Sequence, residues 1–194
     1  LDYLHKMDPP VIHQDIKPEN ILISDDKYML SDFGVSTHVK ETITRYSQLA
    51  DTLKSAGSPH YMAPERFYEN KSPVMMNDIW SLGATVYELL TGQLPFFMGG
   101  LSQSQGERVP YLQGNYSSTL REILRDCMAK EPWGRPRAEQ LYEVAKMVLD
   151  GEPIPDLLPW KSQEQTPPPP PEKNSNGKWP PPPIPKEPDS GSVS

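Results

Sequence analysis

Asp15, Lys17, Asn20 and Asp32 place a carboxylate, an ammonium, an amide and a second carboxylate within one short stretch of the chain. A carboxylate can orient a hydroxyl and take its proton. A lysine ammonium can sit against a phosphate as a point charge. Asn and Asp are hard oxygen ligands, suited to Mg²⁺ and not to a soft metal. Together these are the group types that phosphoryl transfer to a hydroxyl requires. Asn and Asp are also common turn residues, so their value depends on where the fold puts them.

The elements around them can be read from pattern. Ile21-Leu22-Ile23-Ser24 and Tyr28-Met29-Leu30-Ser31 read as two short strands joined by Asp25-Asp26-Lys27. Asn20 then stands just before the first strand and Asp32 just after the second, so a hairpin brings both to one end. Leu1 to His5 reads as the last turns of a helix stopped by Asp8-Pro9-Pro10. From Asp32 to Glu65 there is little apolar periodicity and much Ser and Thr, the signature of a long loop.

Three helices are expected further on. Met76 to Leu90 turns Ile79, Leu82, Gly83, Val86, Leu89 and Leu90 to one face and stops at Gly92, with Asn77 an alternative N-cap. Thr119 to Glu122 has capping-box spacing and opens a helix with Leu120, Ile123, Leu124, Cys127 and Met128 inward. Pro136 to Leu149 turns Ala138, Leu141, Val144, Ala145 and Val148 inward. Residues 93–116 read mostly as loop. From about Asp150 the chain becomes proline-rich and polar, which predicts disorder or polyproline II. The fold class is therefore mainly α with a short β-hairpin at the candidate site, as a domain over 1–149 and a proline-rich disordered tail over 150–194.

Bulk composition narrows the function. Of 24 prolines, 14 lie after residue 150, so the low hydrophobic content of 36% is concentrated in the tail. The net charge of −7 comes with no basic stripe, which argues against nucleic acid. No apolar run is long enough for a membrane span. The single cysteine, Cys127, excludes an intrachain disulfide and fits a reducing compartment. The expected location is the cytoplasm, with the nucleus left open.

Six motifs in order resemble the large lobe of eukaryotic protein kinases over residues 1 to about 149: Tyr3-Leu4-His5, the His13–Asn20 loop, Asp32-Phe33-Gly34, the run from Gly57-Ser58-Pro59 to Ala63-Pro64-Glu65, Asp78-Ile79-Trp80-Ser81-Leu82-Gly83, and Trp133-Gly134-Arg135-Pro136. The resemblance implies that Asp15 is the catalytic carboxylate, that Lys17 meets the transferring phosphate of ATP, and that Asn20 and Asp32 hold Mg²⁺. It implies that Ser58 bridges Asp15 and Lys17 and helps seat the substrate residue. It makes Glu65 and Arg135 a locking pair, Asp78 the support of the catalytic-loop backbone, and His13, Phe33 and Gly34 structural, with His13 and Phe33 stacked in an internal apolar column. Asp15-Ile16-Lys17 matches the Ser/Thr form, so the implied substrate is a protein with a Ser or Thr acceptor.

The chain departs from that family in two ways. Gln14 stands where arginine commonly pairs a phosphate of the activation loop, and glutamine cannot supply that charge. A phosphate on Thr42, Thr44, Ser47, Thr52 or Ser55 is therefore not expected to act through residue 14. Second, no Gly-x-Gly-x-x-Gly loop and no Val-Ala-Ile-Lys-type strand occurs. The resemblance implies a smaller, nucleotide-covering lobe of about 100 residues or more upstream of Leu1, and the 194 residues alone are expected to transfer phosphate poorly.

The tail carries Thr166 with Pro167 to Pro171, and Trp179 with Pro180 to Pro183. Such runs suit aromatic-lined grooves, so a polyproline-binding domain is a candidate partner, against a plain solvated spacer. Three functions are thus open: an active Ser/Thr kinase, a pseudokinase-like scaffold, and a proline-rich interaction protein. Intact Asp15, Lys17, Asn20 and Asp32 favour the first.

Overall fold

Helix α2 (Met75–Thr91) is the element around which the others assemble. Nearly its whole circumference is covered: Ile79, Trp80, Gly83, Ala84 and Tyr87 are buried, and so are the polar Asn77, Asp78, Ser81 and Thr85. A helix buried all round must satisfy its polar groups inside the protein. The computed structural model describes residues 1–25, 27–33, 36–38, 59–67, 75–155 and 157–161. Asn77, a candidate N-cap in the sequence, lies inside the first turn of α2, and its buried amide has no hydrogen-bond partner among the described residues. Leu89, expected inward, is 62% exposed, because no described element covers the last turn of α2 on that side.

Three short segments form the floor of the candidate site. Helix α1 (Asp2–His5) leads into strand β1 (Val11–Ile12), which pairs antiparallel with β4 (Thr37–His38). That small sheet lies partly in the stretch the sequence reads as a long loop. Strand β2 (Ile21–Ser24) pairs antiparallel with β3 (Lys27–Leu30), with Ile21 opposite Leu30. The second strand thus starts one residue earlier than pattern alone places it. The Ser31 N–H donates to the Asn20 carbonyl at 2.8 Å and closes the base of the hairpin.

The rest of the core is helix on helix. Helix α4 (Ser118–Cys127) packs on α2, and Gly83 makes that approach possible: a Cβ there would lie 2.8 Å from Cys127 Cβ. Trp80 stacks on Phe96 at 5.9 Å, beside Met128, Leu124 and Leu112. Burial in this core pushes the Cys127 thiol up to about 12. The α4 N-cap is Ser117, whose hydroxyl accepts from the Leu120 N–H at 3.1 Å; Thr119, the expected cap, is already inside the helix. Residues 93–116, expected as loop, include the short helix α3 (Gly100–Ser104), seated against the turn Pro64–Phe67.

Helix α5 (Ala138–Asp150) starts two residues after Pro136 and ends on Gly151 in the left-handed conformation. Val144 is buried, but Ala145 and Val148, expected inward, are exposed, so only a narrow stripe of α5 meets the core. Packing continues past residue 149. Leu158 and Trp160 are buried against Val144, and Ile154 joins them. Trp160 Nε1 donates to Asp126 Oδ2 at 2.9 Å, and Lys161 Nζ pairs with Asp126 at 3.2 Å and with Glu122. Residues 157–161 therefore strap across α4 and α5; composition hides this because three apolar residues stand among prolines and charges. The polyproline runs lie outside the described residues.

Candidate active site

The loop from His13 to Asn20 is held from below by a polar stripe on α2. Asp78, fully buried, accepts the His13 N–H at Oδ2 and the Gln14 N–H at Oδ1, each at 2.8 Å. Its Oδ2 also meets His5 Nε2 at 3.0 Å. One turn up, Ser81 Oγ donates to the Tyr61 carbonyl at 2.6 Å. A further turn up, Thr85 Oγ1 lies 3.3 Å from the Ile16 carbonyl and 2.8 Å from that of Ser81. The contacts of Asp78 and Thr85 reach backbone groups that a tight, buried loop cannot pair internally, and that of Ser81 holds the adjacent turn at Tyr61.

Asp15 emerges half-buried at the top of this arrangement. Its Oδ2 accepts from Asn20 Nδ2 at 2.9 Å and faces Lys17 Nζ at 2.9 Å. Asn20 Nδ2 also donates to the Asp15 carbonyl at 2.8 Å. The carboxylate is thereby fixed through one oxygen, while Oδ1 has no partner among the described residues. Asn20 in turn spends its amide NH₂ on Asp15, which leaves Oδ1 as a spare hard-oxygen donor. The 3₁₀ turn Pro18–Asn20 sets this geometry by reversing the chain between Lys17 and β2.

His13 joins the loop to the hairpin. Its ring is fully buried; Nδ1 accepts the Asp15 N–H at 3.3 Å and Nε2 donates to the Ser31 carbonyl at 3.0 Å. This bonding places the ring proton on Nε2. Phe33 meets the ring edge-on at 4.9 Å, yet is 48% exposed, so the expected internal column is open at Phe33. Asp32, between the hairpin and Phe33, holds φ +60°. Residues with side chains seldom adopt that region outside functional or turn sites.

The donor set fits Mg²⁺. Among the described residues no group of three or more His, Cys, Asp or Glu could cage a metal alone. A hard cation held by Asn20 Oδ1 and the Asp32 carboxylate would complete its shell with phosphate oxygens and water, the usual manner for Mg²⁺.

Glu65 and Arg135 lie behind the site. Arg135 Nη1 and Nη2 donate to the two Glu65 oxygens at 2.6 and 2.8 Å, with both side chains buried. Arg135 also donates to the carbonyls of Ala129, Met76 and Lys130. Arg66, next to Glu65, points the other way: its Nη1 donates to Gln14 Oε1 at 2.6 Å. Tyr61 donates its hydroxyl to Glu88, and burial with that carboxylate raises the phenol above its usual range.

The structure thus brings Asp15, Lys17 and Asn20 into direct contact and sets His13, Phe33 and Asp78 around them. Ser58, Gly34 and the five candidate phosphate acceptors lie outside the described residues. Sequence reasoning missed Ser81, Thr85 and Arg66. For the first two a signal existed: with Asp78 they form an i, i+3, i+7 polar stripe inside an otherwise apolar helix. Arg66 had none, since Gln14, which it binds, is 52 positions away.

Residues 1–145 match the family model described as protein kinase domain. Among curated proteins, Sporulation-specific protein 1 of Saccharomyces cerevisiae is 38% identical over 161 residues, covering 76% of this chain and 30% of that protein. Mitogen-activated protein kinase kinase 2 of Arabidopsis thaliana is 35% identical over 74% of this chain and 41% of its own length. The dual specificity mitogen-activated protein kinase kinase jkk-1 of Caenorhabditis elegans is 36% identical over 74% and 34%. The chain therefore spans less than half the length of these relatives.

Proposed function

The chain belongs to the protein kinase family, and from that premise we propose that its 13–32 segment is the catalytic centre of a Ser/Thr protein kinase, moving the γ-phosphate of ATP to protein hydroxyls. The observation that carries the reading is the asymmetry of the Asp15 carboxylate. One oxygen is fixed by Asn20 and Lys17, and the other has no partner among the described residues. So placed, Asp15 Oδ1 can accept the hydrogen of a Ser or Thr hydroxyl and aim that oxygen at phosphorus. Lys17 stands beside it, where its ammonium can shift from the carboxylate to a phosphate oxygen as charge develops.

Mg²⁺ bound at Asn20 and Asp32 would neutralise phosphate charge. The chain's own task is positional: α2 fixes the loop, the loop fixes Asp15, and the hairpin keeps Asn20 and Asp32 at one end. The activity is proposed for the full-length protein, since no Gly-x-Gly-x-x-Gly phosphate cover occurs in these 194 residues.

Asp15→Asn in the full-length protein tests the assignment. It keeps the Asn20 contact geometry but removes the proton acceptor, so Ser/Thr phosphorylation should fall by about 10²–10⁴-fold. Undiminished transfer would show that Asp15 is not the catalytic carboxylate.

A further inference from the structure

We infer that Arg66 is a positioning residue for the 13–20 loop, acting through Gln14; the inference rests on Asp15 being the catalytic carboxylate. Gln14 holds φ +71°, in the left-handed region that residues with long side chains seldom keep without support. Its support comes from both ends. The backbone N–H is taken by Asp78 Oδ1 at 2.8 Å, and the side-chain Oε1 accepts from Arg66 Nη1 at 2.6 Å. Gln14 is only 9% exposed, so its bond to the half-buried guanidinium is partly shielded from water and assisted by charge.

Arg66 reaches Gln14 from a rigid base. Its neighbour Glu65 is bound at both oxygens by Arg135. The preceding residues are fixed by α3, where the Gly100 N–H donates to the Met62 carbonyl at 2.8 Å. The turn Pro64–Phe67 therefore links the buried Arg135 to the residue beside Asp15.

The chemistry of the pair explains why glutamine serves at position 14. An arginine there would set two guanidinium groups against each other, and the contact would need an anion between them. Glutamine offers Arg66 a neutral acceptor, so the Gln14–Arg66 bond itself needs no bridging anion. Arg66 touches no reacting atom in this scheme. Its loss lets residue 14 relax toward commoner φ values and turns Asp15 away from its fixed direction.

The test compares Arg66→Ala, Gln14→Met, the double variant, and the exchanged pair Gln14→Arg with Arg66→Gln, all in the full-length protein. Each single change should lower kcat about tenfold or more while KM for ATP stays within about twofold. The double variant should be no worse than either single one, and the exchanged pair should regain most of the lost rate. Hydrogen exchange supplies a second readout: in Arg66→Ala the amides of residues 14–16 should exchange faster, with those of α2 unchanged. If Arg66→Ala fails to fold, Gln14→Met gives the same comparison, because it nearly keeps the side-chain volume and removes the amide that Arg66 binds. An unchanged kcat with unchanged loop exchange overturns the inference, as does a double variant whose loss is the product of the two single losses. If the loop amides lose protection in Arg66→Ala while the wild-type full-length protein itself transfers no phosphate, Arg66 remains the loop's anchor and the catalytic reading is overturned instead.

Discussion

Replacing Arg135 with methionine should destabilise the protein more than almost any other single change. The guanidinium side chain is fully buried and that of Glu65 is 5% exposed, so water cannot replace what is lost. Removing one partner of such a pair leaves an uncompensated buried charge, at about 3–5 kcal/mol. The carbonyls of Ala129, Met76 and Lys130 lose a donor at the same time, which moves the expectation to the upper end of that range. Domains of this size hold only about 5–15 kcal/mol in total. At about 2–4 °C per kcal/mol, the melting temperature should drop by about 10–20 °C. Replacing both partners, as Glu65→Leu with Arg135→Met, removes the orphaned carboxylate as well. The double variant should therefore be more stable than the sum of the single losses predicts, by about 0.5–3 kcal/mol. Urea unfolding followed by circular dichroism measures all four corners of the cycle, provided the m-values agree. An Arg135→Met variant within about 1 kcal/mol of wild type, below the range for a broken buried pair, would refute the reasoning; so would strict additivity.

Two further outcomes follow from geometry and charge. Gly100→Ala should be far more damaging than Gly92→Ala: a Cβ on Gly100 would lie 2.1 Å from the Pro64 backbone nitrogen, whereas one on Gly92 meets nothing within 4 Å. Gly92→Ala carries only the strain of its left-handed φ, about 1–2 kcal/mol, and equal melting temperatures for the two variants would contradict this. The 157–161 strap should impose a pH window. The Lys161 hydrogen bond holds Glu122 below the usual carboxylate range, so its contribution is present above the unfolded value and lost as pH falls through the lowered folded one. Burial works to lower Lys161, but its bonds to Glu122 and Asp126 outweigh this and raise it, so its contribution is lost only as pH rises through the raised folded value. Lys161→Met should flatten both limbs of a melting-temperature profile against pH, and an unaltered profile would count against the strap.

Local chemistry was legible in the sequence, and long-range coverage was not. Asp15, Lys17 and Asn20 could be grouped because a single turn, Pro18–Asn20, sets their geometry. The hairpin was legible because Ile21–Ser24 and Lys27–Leu30 need only each other to pair. Leu89, Ala145 and Val148 fit a helical period as well as their buried neighbours do, yet periodicity does not say whether another element arrives to cover them. Ser117 and Thr119 both carry a capping hydroxyl. Ser117 caps because its backbone is extended, at ψ 152°, a property sequence spacing does not encode. Ile154, Leu158 and Trp160 were hidden by the prolines and charges between them, although each has a place against Val144 or its neighbours.

The placement of polar residues in α2 follows from what the loop lacks. A chain that turns sharply at His13 and Gln14, with φ +71° at Gln14, leaves consecutive N–H groups with no secondary structure to receive them. Each would lose about 1–3 kcal/mol if buried unpaired. Asp78 takes both, and its charge makes each bond stronger than a neutral acceptor could. On the other side of Asp15 the Ile16 carbonyl lies 3.3 Å from Thr85 Oγ1, whose single hydrogen it shares with the nearer Ser81 carbonyl at 2.8 Å. The loop's own Asn20 and Lys17 fix the Asp15 carboxylate, and α2 holds the backbone on which that carboxylate stands. This is why buried Asp78 and Thr85 belong to the site although neither can reach a substrate, while Ser81 holds the neighbouring Tyr61 carbonyl.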